Sequence, residues 1–444
     1  MIQGYVHPAF SAVADELARQ TPTDGRSGSA LTVYHQGQCV VDIWGGCRDH
    51  AGNPWQEDTL ALSFSTTKGI ASTLLHILAD RGLIDYDKPV CHYWPEFRQG
   101  GKEGITVRHL LTHQAGLWDI RSMIDDATRI TDWDYMIDVL ARARPLHGPG
   151  RTHGYHGLTY GWLIGEVMHR VTGKTFAELL KTELADPLKL DGLYVGLPET
   201  EFHRRALLAS FPPTHKPRPE TNGPRTRRKP GLVSRLQVNA MRGTLQVLGV
   251  DLDDLQRGLA PRGMRYFSFN DPSVVKACIP SANGMFTARS LARVYAMMAG
   301  EGELEGVRLM SARRVYDISH VHSRKIDKVV PLPMHWRLGY HRVFAWGVKT
   351  SEASGIFGFQ TGAPGAIHPA NWRWALPSTV PAAPRPLVIP ASCASMPRQS
   401  GRRTRWQGCV QGAGWRCRSR ADCLTGLVCQ VSVLEAGACT VKAR

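Results

Sequence analysis

Several things are scarce or missing in this 444-residue chain, and each absence narrows its chemistry. No apolar run reaches the eighteen or so residues of a membrane-crossing helix, so no membrane span is expected. No Cys-x-x-Cys pair and no His-Glu-x-x-His occurs, which leaves a zinc site without support. The opening Met1–Pro8 carries no basic cluster ahead of an apolar stretch, so no secretory signal is read and a cytoplasmic protein is expected. Acidic residues vanish in one place: none occurs from Ala353 to Ala421, although 38 are spread over the whole chain.

That gap also locates the charge. The formal net charge of +16 invites a nucleic-acid reading, but residues 356–444 alone carry +9 of it and the first 355 residues only +7. The body is mildly basic, and neither a nucleic-acid nor a membrane partner is expected. Cysteine divides in the same way. Cys39, Cys47, Cys91 and Cys278 are scattered through the body and read as reduced thiols, whereas six more crowd residues 393–439. With 43% hydrophobic and 21% charged residues the chain has ample material for a large core.

Apolar residues at helical spacing (Phe10, Val13, Leu17) place a first helix within His7–Gln20. Two alternating runs, 30–35 and 38–44, flank Gln36-Gly37 and read as a β-hairpin. Helical patterns follow at about 66–81, 105–113, 133–143, 158–172 and 175–184. A mostly helical block between β-rich ends suits an α+β or α/β domain with a helical insertion. Residues 211–230, with six prolines and a basic run, read as a solvated surface loop.

Chemistry enters at Ser65-Thr66-Thr67-Lys68, where an extended stretch opens an amphipathic helix (Ile70, Leu74, Ile77, Leu78). Ser65 falls at the helix N-terminus, where free N–H groups and the macrodipole favour developing negative charge. Lys68, three residues on, returns its amine to the same face. A buried amine with a lowered pKa accepts a hydroxyl proton. Spacing alone equally allows a Ser65 that merely caps the helix beside a surface lysine. A second Ser-x-x-Lys, Ser273 to Lys276, follows Asp271-Pro272 without a strand-to-helix setting and reads as structural. Tyr155, in a turn-rich loop feeding the helix at 158–172, is a third candidate: a phenolate beside an ammonium is a general base.

These segments, with Ile105–Leu117 and Ser281–Ala288, resemble the serine hydrolases that include class C β-lactamases, penicillin-binding DD-peptidases and β-lactamase-like carboxylesterases. The resemblance covers about residues 8–360. It implies an α/β (α+β) fold: an antiparallel sheet flanked by helices, with a mostly helical insertion at about 85–190. It also implies Ser65 as acyl-accepting nucleophile, Lys68 and Tyr155 sharing the base role, and no metal or cofactor. The Ser65 N–H would be half of an oxyanion hole.

In the second motif, Tyr155-His156-Gly157, the penicillin-recognising branch has Asn where Gly157 stands, and the triplet looks like the esterase branch. The third motif aligns with Gly355-Ile356-Phe357-Gly358-Phe359. By the resemblance, Gly157 of the second motif and Ile356 and Gly358 of the third would line the substrate, and Phe359 would supply the second oxyanion N–H. Ile356 replaces an expected His or Lys. The implied substrate is a small ester or amide, with ester cleavage first, and β-lactamase or DD-peptidase activity or a catalytically impaired homologue as alternatives. Residues 361–444 are expected to be disordered or the product of a reading-frame slip. Back-translation of residues 366–380 in a shifted frame yields an Asp-Pro pair and strand-like sequence of the kind the family carries there; a small disulfide-stapled module is the alternative.

Overall fold

The structure is a computed structural model that describes residues 2–21, 27–208, 252–330 and 332–342, together with the strands 354–355 and 426–433. The hairpin expected around Gln36-Gly37 forms β2 (Gly28–His35) and β3 (Gln38–Gly46), and β1 (Gln3–Val6) adds to the outer edge of β3. Side chains alternate across the sheet. Leu31, Val33, Val41 and Ile43 point to one face, where Val13 and Leu17 of α1 (Ser11–Gln20) cover them. Ala30 and Tyr34 point to the other face and join the main core. Covered on both sides, β2 is buried from Gly28 to Tyr34. The opening helix is split, because Pro8 starts a short 3-10 turn (Pro8–Phe10) before α1.

Ala61–Leu62 forms β4, which lies in a second sheet of order β4-β6-β5 with β5 (Leu193–Val195) and β6 (Gly284–Phe286). This sheet delivers the chain into α2 (Thr66–Asp80). Although its spacing reads as amphipathic, α2 is buried on all sides from Thr67 to Ala79, because its polar stripe of Lys68, Ser72 and His76 is hydrogen-bonded inside the protein. The helical region follows: α3 (Val90–Tyr93), α4 (Val107–Leu111), α5 (Ile120–Met123), α6 (Trp133–Arg142), α7 (Thr159–Thr172) and α8 (Phe176–Leu180). The pattern at 105–113 shortens to α4 because Thr106 caps it through a reciprocal box with His109.

After the second sheet's β5 come α9 (Leu252–Leu259), α10 (Pro272–Lys276), α11 (Ala288–Ala299) and α12 (Ala312–Ser319). Of these, α11 packs on β2. Short strands β7 (Glu303–Leu304), β8 (Val307–Arg308), β9 (His341–Arg342) and β10 (Ser354–Gly355) pair as two small ribbons. The tail contributes β11 (Gly426–Val433), antiparallel to β2 from Gly426 opposite His35 to Val433 opposite Gly28. The sheets and helices together make an α+β fold. The Pro-rich stretch at 211–230 lies outside the described residues, as does the rest of 361–444.

Candidate active site

Ser65 stands where β4 gives way to α2. Phe64, just before it, holds φ 39° in the left-handed region, a conformation that costs a β-carbon-bearing residue energy and turns the chain sharply. Edge-to-face packing on Phe269 at 5.2 Å holds that turn. Although Ser65 occupies the N-cap position of α2, its side chain makes no capping hydrogen bond. Its Oγ lies 2.7 Å from the Tyr155 hydroxyl and 3.2 Å from Lys68 Nζ. Ser65 is half-buried, whereas Lys68 has no exposed surface and Tyr155 keeps only 5%. The alternative of a helix-capping serine beside a surface lysine is thereby removed.

Backbone carbonyls make the setting of Lys68. Its Nζ donates to Gly157 O at 2.7 Å and to Ser281 O at 2.9 Å. The second carbonyl arrives through a close backbone approach. A β-carbon on Gly161 of α7 would sit 2.5 Å from Pro280 C and 2.6 Å from Ser281 N, so only glycine lets the strand-leading loop lie there. Gly161 N–H also donates to Ser281 Oγ at 2.6 Å. Among the described residues no carboxylate pairs with Lys68. An ammonium sealed from water without an anion is expensive, and desolvation holds this amine well below the usual lysine range. In the neutral form that desolvation favours, two N–H groups would serve the two carbonyls and leave the lone pair for the Ser65 hydroxyl.

Tyr155 is fixed through its backbone. The preceding Gly154 N–H donates to His113 O at 3.1 Å, His156 N–H to His113 Nδ1 at 3.1 Å, and Leu117 N–H to His156 Nε2 at 3.1 Å. The Ile105–Leu117 segment therefore works as the bracket of the Tyr155 loop. Both imidazoles act as acceptors here and stay neutral, burial depressing His113 well below its ordinary value and His156 to about 3. Burial raises the Tyr155 phenol, so it remains protonated and donates to Ser65 Oγ. Its ring carries Lys68 Nζ at 5.0 Å and stacks on Trp336 at 5.8 Å with planes 10° apart.

Gly157 contributes its carbonyl and no side chain. A β-carbon there would meet Leu259 Cδ2 at 2.3 Å and Gly258 O at 2.7 Å, because the end of α9 occupies that space. The third motif falls beyond reach: Ile356, Gly358 and Phe359 lie outside the described residues, with β10 ending at Gly355. In the second Ser-x-x-Lys, Lys276 is half-exposed and ion-paired to Glu199 at 2.7 Å, far from any such cradle. Two residues of the site had no sequence signal. Asp327 accepts from Tyr155 N–H, and Trp336 stacks on the phenol ring.

The Beta-lactamase family profile matches residues 14–369. This chain belongs to that family. The esterase/beta-lactamase LipL of Mycobacterium tuberculosis (strain ATCC 25618 / H37Rv) is 35% identical over 351 residues, spanning 76% of this chain and 74% of that protein. Among solved structures, a family VIII carboxylesterase superposes with a TM-score of 0.66 at 32% identity, covering 82% of this chain and 89% of its own. A penicillin-binding protein homologue from Caulobacter crescentus gives 0.66 at 31% identity, over 81% and 88%. The fold is therefore the beta-lactamase and penicillin-binding protein fold that the motifs implied. Among the described residues no helix is long and apolar enough to cross a membrane.

Proposed function

We propose that the protein is a serine hydrolase that cleaves small carboxylic esters through an acyl-enzyme on Ser65. The observation that carries this reading is Ser65 Oγ held between the Tyr155 phenol at 2.7 Å and the Lys68 amine at 3.2 Å. In acylation the hydroxyl oxygen attacks the ester carbonyl and its proton passes to Lys68, whose lone pair faces it. The Tyr155 phenol keeps its proton, steadies the developing alkoxide and fixes the direction of attack. At the head of α2 the Ser65 N–H meets the tetrahedral oxyanion. Collapse expels the alcohol, which takes the proton back from Lys68. Water then repeats the sequence on the acyl-enzyme and frees the acid.

Two things favour an ester over a lactam. One of the solved relatives named above, at 32% identity, is a carboxylesterase. Gly157 offers no side-chain amide, and its carbonyl is already taken by Lys68. We infer the cytoplasm as its compartment, a reading with which the thiols of Cys39, Cys47, Cys91 and Cys278, free among the described residues, are consistent.

The test is hydrolysis of p-nitrophenyl butyrate and of nitrocefin by the full chain beside Ser65→Ala. Ester turnover that disappears in the variant, with little nitrocefin turnover, is the expected result. Nitrocefin cleavage without ester cleavage would replace the reading with a β-lactamase, and silence toward both from folded protein would mark an impaired homologue.

A further inference from the structure

Asp327 is 1% exposed, and among the described residues no lysine, arginine or histidine forms an ion pair with it. A carboxylate in that position is costly unless its lone pairs are all engaged. Four N–H groups engage them. Oδ1 accepts from Tyr155 N at 3.0 Å, Val329 N at 2.8 Å and Val330 N at 2.9 Å, and Oδ2 accepts from Trp336 Nε1 at 3.2 Å. Desolvation pushes the carboxyl up to about 6 against these four bonds, and a set of four N–H donors with no acceptor suits the carboxylate form. Two of the donors are local to its own loop. The other two are the backbone N–H of Tyr155 itself and the indole of Trp336, which stacks on the Tyr155 ring.

Those two donors give the carboxylate its consequence. One oxygen fixes the backbone from which Tyr155 projects. The other fixes the indole that lies parallel to the Tyr155 ring at 5.8 Å and presses against His113 at 4.3 Å. Lys328 N–H adds a tie to His153 O, two residues before Tyr155. A phenol clamped by its backbone and by one ring face has its hydroxyl direction set, and here that direction is Ser65 Oγ.

We propose that Asp327 is a positioning residue of the hydrolytic site: by joining the Tyr155 backbone to the Trp336 indole it aims the Tyr155 hydroxyl at Ser65. This rests on the ester-hydrolase reading above. Misplacement of a reacting group by about 1 Å costs on the order of 100-fold in rate. Asp327→Ala should therefore lower kcat by about 10- to 100-fold with KM little changed.

The experiment titrates active sites to completion with a fluorophosphonate and expresses kcat for p-nitrophenyl butyrate per titrated site. A purely structural role would reduce the number of titratable sites and leave kcat per site unchanged. That outcome, kcat per site within twofold of the wild type, overturns the proposal.

A second set of variants serves if Asp327→Ala does not fold. In Asp327→Asn the oxygen still serves the three backbone N–H groups, but the amide N–H₂ confronts the Trp336 N–H. Trp336→Phe keeps a stacking ring and removes that donor. Trp336→Phe alone should therefore lower kcat per site, and the pair Asp327→Asn/Trp336→Phe should be no slower than the slower single variant, because both remove the same link. Losses that multiply in the pair, or a Trp336→Phe enzyme with wild-type kcat per site, count against the proposal. If the wild type shows no Ser65-dependent ester turnover, the hydrolase reading has failed separately. Asp327 is then judged by the rate of fluorophosphonate labelling at Ser65, which should fall by the same factor in Asp327→Ala.

Discussion

Replacing Gly157 with alanine asks how tightly the second motif is tied to α9. Its backbone tolerates an L-residue, since Gly157 is not among the positive-φ glycines; space alone forbids the methyl group. The added carbon would lie 2.3 Å from Leu259 Cδ2, the end of a side chain, and 2.7 Å from Gly258 O, which is backbone. Nor is α9 free to retreat. Arg257 is ion-paired at 2.6 Å to Asp119, a nearly buried carboxylate, and Arg121 donates to Ala260 O at 2.9 Å.

Overpacking of this kind costs about 1–3 kcal/mol. At roughly 2–4 °C per kcal/mol, or somewhat less for a longer chain, the melting temperature should fall by several degrees. Any relief taken by the 155–158 loop instead moves the Gly157 carbonyl off Lys68, so ester turnover should fall as well. Adding Leu259→Ala removes the side-chain clash and leaves the backbone one, so it should restore only part of both. Thermal unfolding and p-nitrophenyl butyrate kinetics read the two effects. A Gly157→Ala protein with wild-type melting and wild-type kcat would refute the claim that α9 occupies the room of a second-motif side chain.

Three further outcomes follow from the same geometry. Tyr155→Phe should keep the stack on Trp336 and the fold while lowering kcat about 10²- to 10³-fold, the range for losing one preorganised hydrogen-bond donor to a developing charge, as stopped-time ester assays would show. Lys68 has a depressed pKa, so its active form is the neutral amine. Activity should be lost as pH falls through that titration, and stability should fall in the same direction because the unfolded chain takes up the proton that the folded one refuses. A rate–pH profile that instead rises toward acid would contradict a neutral Lys68. Ser273→Ala should leave turnover unchanged, because its partner Lys276 is engaged with Glu199 at the surface.

Much of this was legible in the sequence, and the reasons are physical. Helix α2 announces itself by apolar spacing, and the hairpin by alternation around a two-residue turn. Ser65, Lys68 and Tyr155 are recognisable because the proposed chemistry rests on their side chains. Less visible is whatever acts through the backbone. The cradle of Lys68 is two carbonyls, Gly157 O and Ser281 O, and a carbonyl has no residue signature.

Burial of cations is hidden for the same reason. Lys102 is buried with its amine on the carbonyls of Gln99, Ala141 and Ala143, tying the end of α6 to the preceding loop, and no motif or spacing marks it. Asp327 sits in an unremarkable Ile-Asp-Lys sequence, 172 residues from the tyrosine it holds. The glycine of the second motif reads as a loss of an amide. The structure supplies its cause, since Leu259 and Gly258 fill the space from a helix that sequence spacing did not mark.

The central claim is that Ser65 is the acyl-accepting nucleophile, activated by a neutral Lys68. Intact-mass analysis of the full chain after brief exposure to a fluorophosphonate, followed by peptide mapping, tests it most directly. The account predicts one adduct per chain, located on Ser65, absent in Ser65→Ala and strongly slowed in Lys68→Met. Folded protein that remains unlabelled, or an adduct mapped to another serine such as Ser273, would contradict it.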